Sequence, residues 1–323
     1  ASMAYDDVEL DASTRRALDL LKLGTSAPSP DDAAKRKELA TITTDMQGAY
    51  GAGEYCRSEN DCISGSELEQ LMRDTRDYDE LLEYWVGWRE VAKPMREQYA
   101  RFVELANEGA GELGYANVGE MWRSAYDMSP AEFETESAKL WDQVKPLYDA
   151  LHCHVRAELG DVYGEDKVPQ DGPIPAHLLG NMWAQGWASL YDLVEPYPGV
   201  GDIDVDSTLK TKDFSPQEMV RSAENFYVSL GMPRLPDTFW ERSMFSKPAD
   251  RDVVCHASAW GLDGGDDLRI KMCINQTYDE LRVIYHELGH NYYQAAYKDL
   301  PPLFQEAAHD GFHEAIGLSL IHI

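Results

Sequence analysis

The chain has 323 residues, 43% of them hydrophobic, which is enough for one large core or two lobes. Its 58 acidic and 29 basic side chains give a formal net charge of −29, and a surface of that sign repels phosphate backbones, which excludes nucleic acid as a partner. The sequence contains no run of 18 apolar residues, so we predict no transmembrane segment.

Apolar residues at helical spacing recur along most of the chain, separated by segments rich in Pro, Gly and Asp. Ser129 and Ser215 each begin a capping box, a sequence signature of a helix start. The chain is therefore predicted to be mainly α. The predicted helices are residues 5–24, 31–50, 68–77, 78–109, 129–159, 177–193 and 215–230, with a short turn and helix in 115–127.

A small sheet is predicted in the second half of the chain. Residues 252–260 and 268–273 have strand composition and flank a Gly-Gly pair, which is typical of a β-hairpin. Residues 160–175 and 194–214 are predicted to be loops.

Five cysteines are present, and none forms a C-x-x-C motif of the metal or redox type. Cys56 and Cys62 close a short loop, whereas Cys255 and Cys273 bracket a segment rich in Gly and Asp. Cys153 is left over in an apolar helical stretch, where we expect it to be buried and inert.

The most informative stretch is an H-E-x-x-H motif at residues 286–290. Residues four apart share one face of a helix, so His286 and His290 can direct two imidazole nitrogens at one metal ion. Glu287 projects beside them, where it can accept a proton from a metal-bound water. Thr277 and Glu280 form a capping box at the start of the predicted helix.

A catalytic zinc site usually has a third protein ligand. The zincin pattern with a third His close behind the motif is absent, which leaves a downstream carboxylate. Glu306, Asp310 and Glu314 are the candidates. Gly311 has the features of a helix start with Asp310 as its cap, which would place Glu314 on the first turn.

Five ungapped strings make the chain similar to the angiotensin-converting enzyme family of peptidyl-dipeptidases, and the match runs over nearly the whole chain, weakest before about residue 40. The strings occupy residues 172–185, 254–260, 286–290, 297–301 and 311–317. The resemblance implies a two-lobed, zincin-like helical peptidase with the hairpin beside the zinc helix, in one catalytic domain spanning residues 1–323.

The resemblance also implies site roles. Glu314 would be the third zinc ligand, completing the set with His286 and His290, and Glu287 would be the general base. The implied reaction is the zinc-dependent release of C-terminal dipeptides from short peptides by attack of a zinc-bound water.

Three residues are implied to bind substrate. His256 and Ala257 would contact the peptide backbone next to the scissile bond, since an edge strand can hold a peptide by main-chain hydrogen bonds. Gln185 would bind the C-terminal carboxylate together with a Lys and a Tyr expected beyond residue 323.

Two chloride sites are implied, one using Arg89 and the other Tyr126, although each residue taken alone is more typical of packing on a helix. The four cysteines other than Cys153 are similar in position to disulfide-bonded cysteines of the family. The resemblance implies the pairs Cys56–Cys62 and Cys255–Cys273. Such pairing indicates a periplasmic or secreted protein.

We expect the chain to be a truncated member of the family. Leu318 stands where the family has an Asp that supports a zinc-binding His, a role worth roughly 10–100-fold in affinity or activity. Weak zinc binding is therefore predicted. Little turnover is also predicted, because the family's oxyanion donor is expected beyond residue 323 and one such donor is worth roughly 10²–10³ in rate. The alternatives are a thermolysin-like endopeptidase and an inactive, peptide-binding fragment.

Overall fold

The computed structural model describes residues 5, 7–197 and 204–320. In these ranges the chain is mainly α, with two small antiparallel sheets of two strands each, which confirms the predicted fold class. None of the helices described is long and apolar enough to cross a bilayer. The elements are α1 Ala12–Leu23, α2 Ala33–Gly51, β1 Glu54–Ser58, β2 Asp61–Ser64, α3 Gly65–Asp74, α4 Tyr78–Glu90, α5 Arg96–Glu112, α6 Val118–Arg123, α7 Pro130–Tyr163, α8 Tyr191–Val194, α9 Val205–Thr211, α10 Pro216–Ser229, α11 Asp237–Arg242, β3 Ser258–Gly261, β4 Leu268–Lys271, α12 Tyr278–Tyr297 and α13 Asp310–Leu320.

The chain divides into two compact units, each built from separate stretches of sequence. The first unit comprises Ala1–Ser26, Met121–Asp127 and Asp202–Ile323, and the second comprises Ala27–Glu120 and Met128–Gly201. The first unit therefore contains the H-E-x-x-H motif.

The second unit is organised around a core formed by α3, α4, the end of α7 and the segment that follows α7. Leu68 and Leu159 are fully buried there, and Leu178 is 1% exposed. The predicted capping box at Ser129 is present, with Ser129 Oγ accepting from the Glu132 N–H. The helix that it begins runs four residues further than predicted.

Residues 177–193 are not the predicted helix. They form two 3-10 turns, Ala176–Leu178 and Ala188–Leu190, before the short α8. Gly180 and Ala184 take positive φ angles of 83° and 57°, and the Asn181 side chain accepts the N–H groups of Trp183 and Gln185. An Asn side chain that bonds nearby backbone competes with helix formation, which apolar periodicity alone does not reveal.

Three further differences from prediction are local. Residues 54–64 form a hairpin rather than a plain loop, with Cys56 opposite Cys62 and joined to it by a disulfide. The predicted helix 78–109 is interrupted by a 3-10 turn at Lys93–Met95, because Pro94 has no N–H to donate. Cys153 is exposed, not buried, because this part of α7 lies on the surface.

The predicted loop 194–214 contains the helix α9, which belongs to the first unit and is capped by Asp204. Residues 198–203 of that loop lie outside the described residues.

The core of the first unit lies between α10, α12 and the β3–β4 hairpin, with Tyr227, Phe239 and Ile284 fully buried. Tyr227 Oη donates to the carbonyl of Tyr285 at 2.6 Å and so ties α10 to α12.

The hairpin lies against α12, as predicted. Ser258 to Gly261 pairs with Leu268 to Lys271 in antiparallel register. Asn291, fully buried on α12, donates from Nδ2 to the carbonyl of Arg269 at 3.2 Å and to Gln294 Oε1 at 2.9 Å. One buried amide therefore fixes the hairpin to the helix that carries the metal motif.

Two glycines lie where α12 and α13 meet. A Cβ on Gly289 would lie 2.9 Å from Tyr227 Oη and 3.0 Å from Gly317 Cα, and one on Gly317 would lie 2.7 Å from His286 Nδ1. Real Cβ contacts are not that short, so the two helices approach this closely only because both positions lack side chains.

Substituting Ala for Gly289 tests this contact. We expect Gly289→Ala to lower the free energy of unfolding by about 1–3 kcal/mol, the usual cost of overpacking a buried contact. Gly48 is the matched control, because a Cβ there would meet nothing within 4 Å. Gly48→Ala should stabilise α2 by about 0.5–1 kcal/mol. Thermal or urea unfolding measures both, and equal effects would contradict the packing argument.

Candidate metal centre

Helix α12 carries the two histidines of the motif. Thr277 caps it, and its Oγ1 accepts the Glu280 N–H at 3.2 Å. His286 and His290 lie one turn apart, and their Nε2 atoms are 2.9 Å from each other. The predicted convergence of the two imidazoles is therefore present in the structure.

Helix α13 supplies a carboxylate. It begins at Asp310, one residue earlier than predicted, and the side chain at its cap is that of His309, whose Nδ1 accepts the Phe312 N–H at 2.9 Å. Glu314 lies one turn after Asp310 and faces α12. Of the three carboxylates left open by the sequence, Glu314 is the one that lies with the two histidines in a cluster that could hold a metal ion.

The spacing of the three side chains fits a tetrahedral zinc ion. Ligand atoms 2.0–2.1 Å from such an ion lie about 3.3 Å from one another. Glu314 Oε2 is 3.2 Å from His286 Nε2, and Glu314 Oε1 is 3.7 Å from His290 Nε2. The two nitrogens are 2.9 Å apart. The three separations therefore lie near the expected value, with each histidine nearest a different oxygen of the Glu314 carboxylate. Two imidazoles and one carboxylate are also a donor set typical of zinc.

Burial keeps the two histidines in the form that a metal requires. Burial, together with the nearby His286 and His313, lowers the pKa of His290 to about 4. Burial also lowers the pKa of His286, against the opposing charge of Glu314. Neutral imidazoles at neutral pH present a free nitrogen lone pair to a metal ion.

Glu287, between the two histidines in sequence, is 6% exposed. Burial, together with the negative charge of Glu314, raises the pKa of its carboxyl to about 7. A carboxyl with a pKa near the working pH can both accept and return a proton. Its environment therefore suits the predicted role of general base.

His313 is a neighbour of the cluster that the sequence reasoning missed. Its Nδ1 lies 2.6 Å from His290 Nδ1, on the side of that ring away from Glu314. Metal-ligating histidines usually bond a second group through the other ring nitrogen, which fixes the tautomer. The signal in the sequence was its position directly before Glu314, but the contact depends on how α12 and α13 cross.

The predicted substrate residues fall in both units. His256 is exposed and Ala257 is half-buried, directly before β3, with His256 Nδ1 2.9 Å from the Ala257 carbonyl. Gln185 is exposed in the irregular segment of the second unit, with its N–H bonded to Asn181. The substrate roles of these three residues stay predictions.

The predicted chloride residues have protein partners. Arg89, in the second unit, donates to the carbonyls of Trp85 at 2.9 Å and Met182 at 2.6 Å, and its guanidinium lies 3.1 Å from the centre of the Trp85 ring. Tyr126, in the first unit, donates to Asp310 at 2.5 Å. Chloride binding at either residue stays a prediction.

The second predicted disulfide is also present. Cys255 and Cys273 are bonded at a sequence separation of 18, so the bond closes the hairpin shortly before α12. Closing a loop of this length contributes about 3 kcal/mol by restricting the unfolded chain. It holds the segment that contains His256 next to the start of the metal helix.

Comparison with known sequences agrees with this geometry. The sequence profile of the angiotensin-converting enzyme family matches residues 1–322. The chain belongs to the angiotensin-converting enzyme family. This confirms the resemblance that the five sequence strings indicated.

Members of the angiotensin-converting enzyme family from distant animals match most of the chain. Angiotensin-converting enzyme of the pig, Sus scrofa, is 44% identical over 284 residues, 87% of this chain and 22% of that protein. The enzyme of the leech Theromyzon tessulatum is 38% identical, covering 91% of this chain and 48% of that protein. Angiotensin-converting enzyme-like protein Ace3 of the mouse, Mus musculus, is 37% identical, covering 98% of this chain and 43% of that protein. The chain thus spans from about a fifth to a half of these curated relatives.

Replacing one glutamate at a time by glutamine tests which carboxylate is the third zinc ligand. We expect Glu314→Gln to weaken zinc binding by more than about 100-fold, since even groups that only orient a ligand are worth 10–100-fold. Glu306→Gln, the control, should leave the dissociation constant unchanged, because Glu306 is outside the cluster. Competition with a chromogenic chelator measures both. A loss of affinity in Glu306→Gln instead would reverse the assignment.

Proposed function

We propose that the chain forms the metal centre of a zinc-dependent peptidyl-dipeptidase, with His286, His290 and Glu314 holding the ion. The observation that supports this most is the convergence of the three ligand atoms, all within 4.8 Å of one another, beside a buried carboxyl. When bound, zinc polarises the scissile carbonyl and makes water easier to deprotonate. The family to which the chain belongs supports the same reaction class.

Glu287 carries the proton transfers in this proposal. As the carboxylate it takes a proton from the attacking water, and as the acid it returns that proton to the nitrogen of the leaving amine. A pKa of about 7, raised by burial, makes both forms accessible near neutral pH. The neutral state of His286 and His290 keeps their lone pairs available to the metal.

The β3–β4 hairpin offers a place for the peptide backbone. β3 pairs with β4 on one side, and among residues 204–320 no strand pairs with its other side. An unpaired edge can hold an extended peptide by main-chain hydrogen bonds. His256 and Ala257, directly before β3, are proposed to contact the substrate there. Gln185 is proposed to bind its terminal carboxylate.

The disulfides bear on where the protein works. Cys56–Cys62 and Cys255–Cys273 are both closed in the structure. Disulfides of this kind persist in oxidising environments. We therefore propose a periplasmic or extracellular location, with short peptides as substrates.

Exchange of the general base is the direct test of catalysis. With zinc bound, the chain is expected to release a dipeptide slowly from an N-blocked tripeptide, and Glu287→Gln to lower that rate by about 10²–10⁴-fold, the usual contribution of a general base. Metal content and chromatographic product analysis are measured on the same samples. Zinc bound at one equivalent with no hydrolysis by the unaltered chain would contradict the proposal and favour a peptide-binding fragment.

The C-terminal group of the substrate separates two kinds of peptidase. Amidation removes the negative charge that a dipeptide-releasing enzyme binds, so the amidated peptide should be cleaved at least about tenfold more slowly than the free acid. A thermolysin-like endopeptidase would cleave both equally. Parallel assays of the two peptides decide, with the cleavage position read by mass spectrometry.

A further inference from the structure

Tyr126 lies against the start of α13, in the same compact unit as the metal cluster. Its hydroxyl donates to Asp310 Oδ1 at 2.5 Å. Its ring packs on the imidazole of His309, with centres 4.5 Å apart and planes inclined by 33°. One side chain therefore contacts both the residue that caps α13 and the first residue of that helix.

Both partners of Tyr126 satisfy backbone groups at the helix start. The first N–H groups of a helix have no partner within it. His309 Nδ1 accepts the Phe312 N–H at 2.9 Å, and Asp310 Oδ1 accepts the Gly311 N–H at 2.7 Å. Holding these two side chains in place therefore holds the first turn itself.

The close approach of Tyr126 also depends on Gly311. A Cβ at that position would lie 3.1 Å from Tyr126 Oη, tighter than nearly all real contacts. The hydroxyl thus lies directly against the backbone of the first turn. This contact and the two side-chain contacts come from the same tyrosine.

The position of Glu314 depends on where α13 begins. Its side chain is 58% exposed, so surrounding packing does not fix it, and its carboxylate lies 3.2 Å from His286 Nε2 and 3.7 Å from His290 Nε2. Asp310 lies one turn before Glu314 on the same helix. A shift of the first turn would therefore carry the Glu314 carboxylate away from the two nitrogens.

We propose that Tyr126 is a positioning residue for the metal centre, acting through His309 and Asp310 to hold the turn from which Glu314 reaches the two histidines. The inference rests on the proposed zinc centre. It assigns the Tyr126 hydroxyl a role different from chloride binding, because the negative partner of that hydroxyl is a carboxylate of the protein.

Zinc affinity in chloride-free buffer is the deciding measurement, made by chelator competition on the apoprotein. Tyr126→Phe removes the hydroxyl and keeps the ring, and we expect about tenfold weaker binding, the lower end of the effect of groups that support a ligand. Tyr278→Phe is the matched control, since Tyr278 is an exposed tyrosine on α12. It should leave the dissociation constant unchanged.

Asp310 variants show whether the two residues act together. Asp310→Ala should weaken zinc binding at least as much as Tyr126→Phe, because it removes the acceptor of both the Tyr126 hydroxyl and the Gly311 N–H. The double variant should bind zinc no more weakly than Asp310→Ala alone, because the bond between the two side chains is already lost. Asp310→Asn keeps an acceptor oxygen and should recover most of the affinity. Additive losses would overturn the proposal. Thermal unfolding without zinc identifies a variant that fails to fold, in which case the exposed Asp310 carries the test alone.

Three further outcomes separate failure of the positioning role from failure of the metal centre and from anion binding. If the unaltered chain binds one zinc and Tyr126→Phe binds it equally well, the positioning role is wrong while the metal centre stands. If the unaltered chain binds no zinc, the metal centre itself is wrong. Repeating the titration with chloride should change nothing; a gain in affinity that Tyr126→Phe abolishes would overturn the proposal in favour of an anion site.

Discussion

The contact between α12 and α13 is the constraint on which the metal cluster depends. Two ligands lie on one helix and the third on the next, so the set closes only if the two backbones approach closely. Gly289 and Gly317 permit that approach, and Gly317 lies directly against the ring of His286. The geometry of the candidate site is in this sense a result of helix packing.

The same packing determines the electrostatics of the site. Covering this face of α12 removes His286, His290 and Glu287 from water, which disfavours the charged form of each. The pKa of each histidine falls and that of Glu287 rises to about 7. Burial is the largest cause of each shift, and it moves the pKa of the two kinds of group in opposite directions.

Much of this could be predicted from the sequence, because local rules decide it. Three helix starts follow from short sequence signals, namely Thr277 before α12 and the serine caps of α7 and α10. The H-E-x-x-H spacing likewise places two histidines on one face of α12. The third ligand was ambiguous from the residues alone, since three carboxylates lie within nine positions; the family resemblance indicated Glu314, and the geometry agrees with it.

What the sequence did not reveal depends on contacts between distant residues or on competition with the backbone. The approach of His313 to His290 exists only once the two helices cross. Likewise, Tyr126 reaches Asp310 across 184 positions of sequence. The irregular segment that contains Gln185 follows from the Asn181 side chain and two positive φ angles, at Gly180 and Ala184, which hydrophobic periodicity does not report.

The buried amide of Asn291 has a consequence for which peptide bond would be cut. It bonds the carbonyl of Arg269 in β4 from a position next to His290. The hairpin cannot slide along α12 without breaking that bond, so the distance from β3 to the ligands is a fixed length. If the proposed substrate peptide pairs with β3, its register on that strand would therefore set which of its bonds lies beside His286, His290 and Glu314.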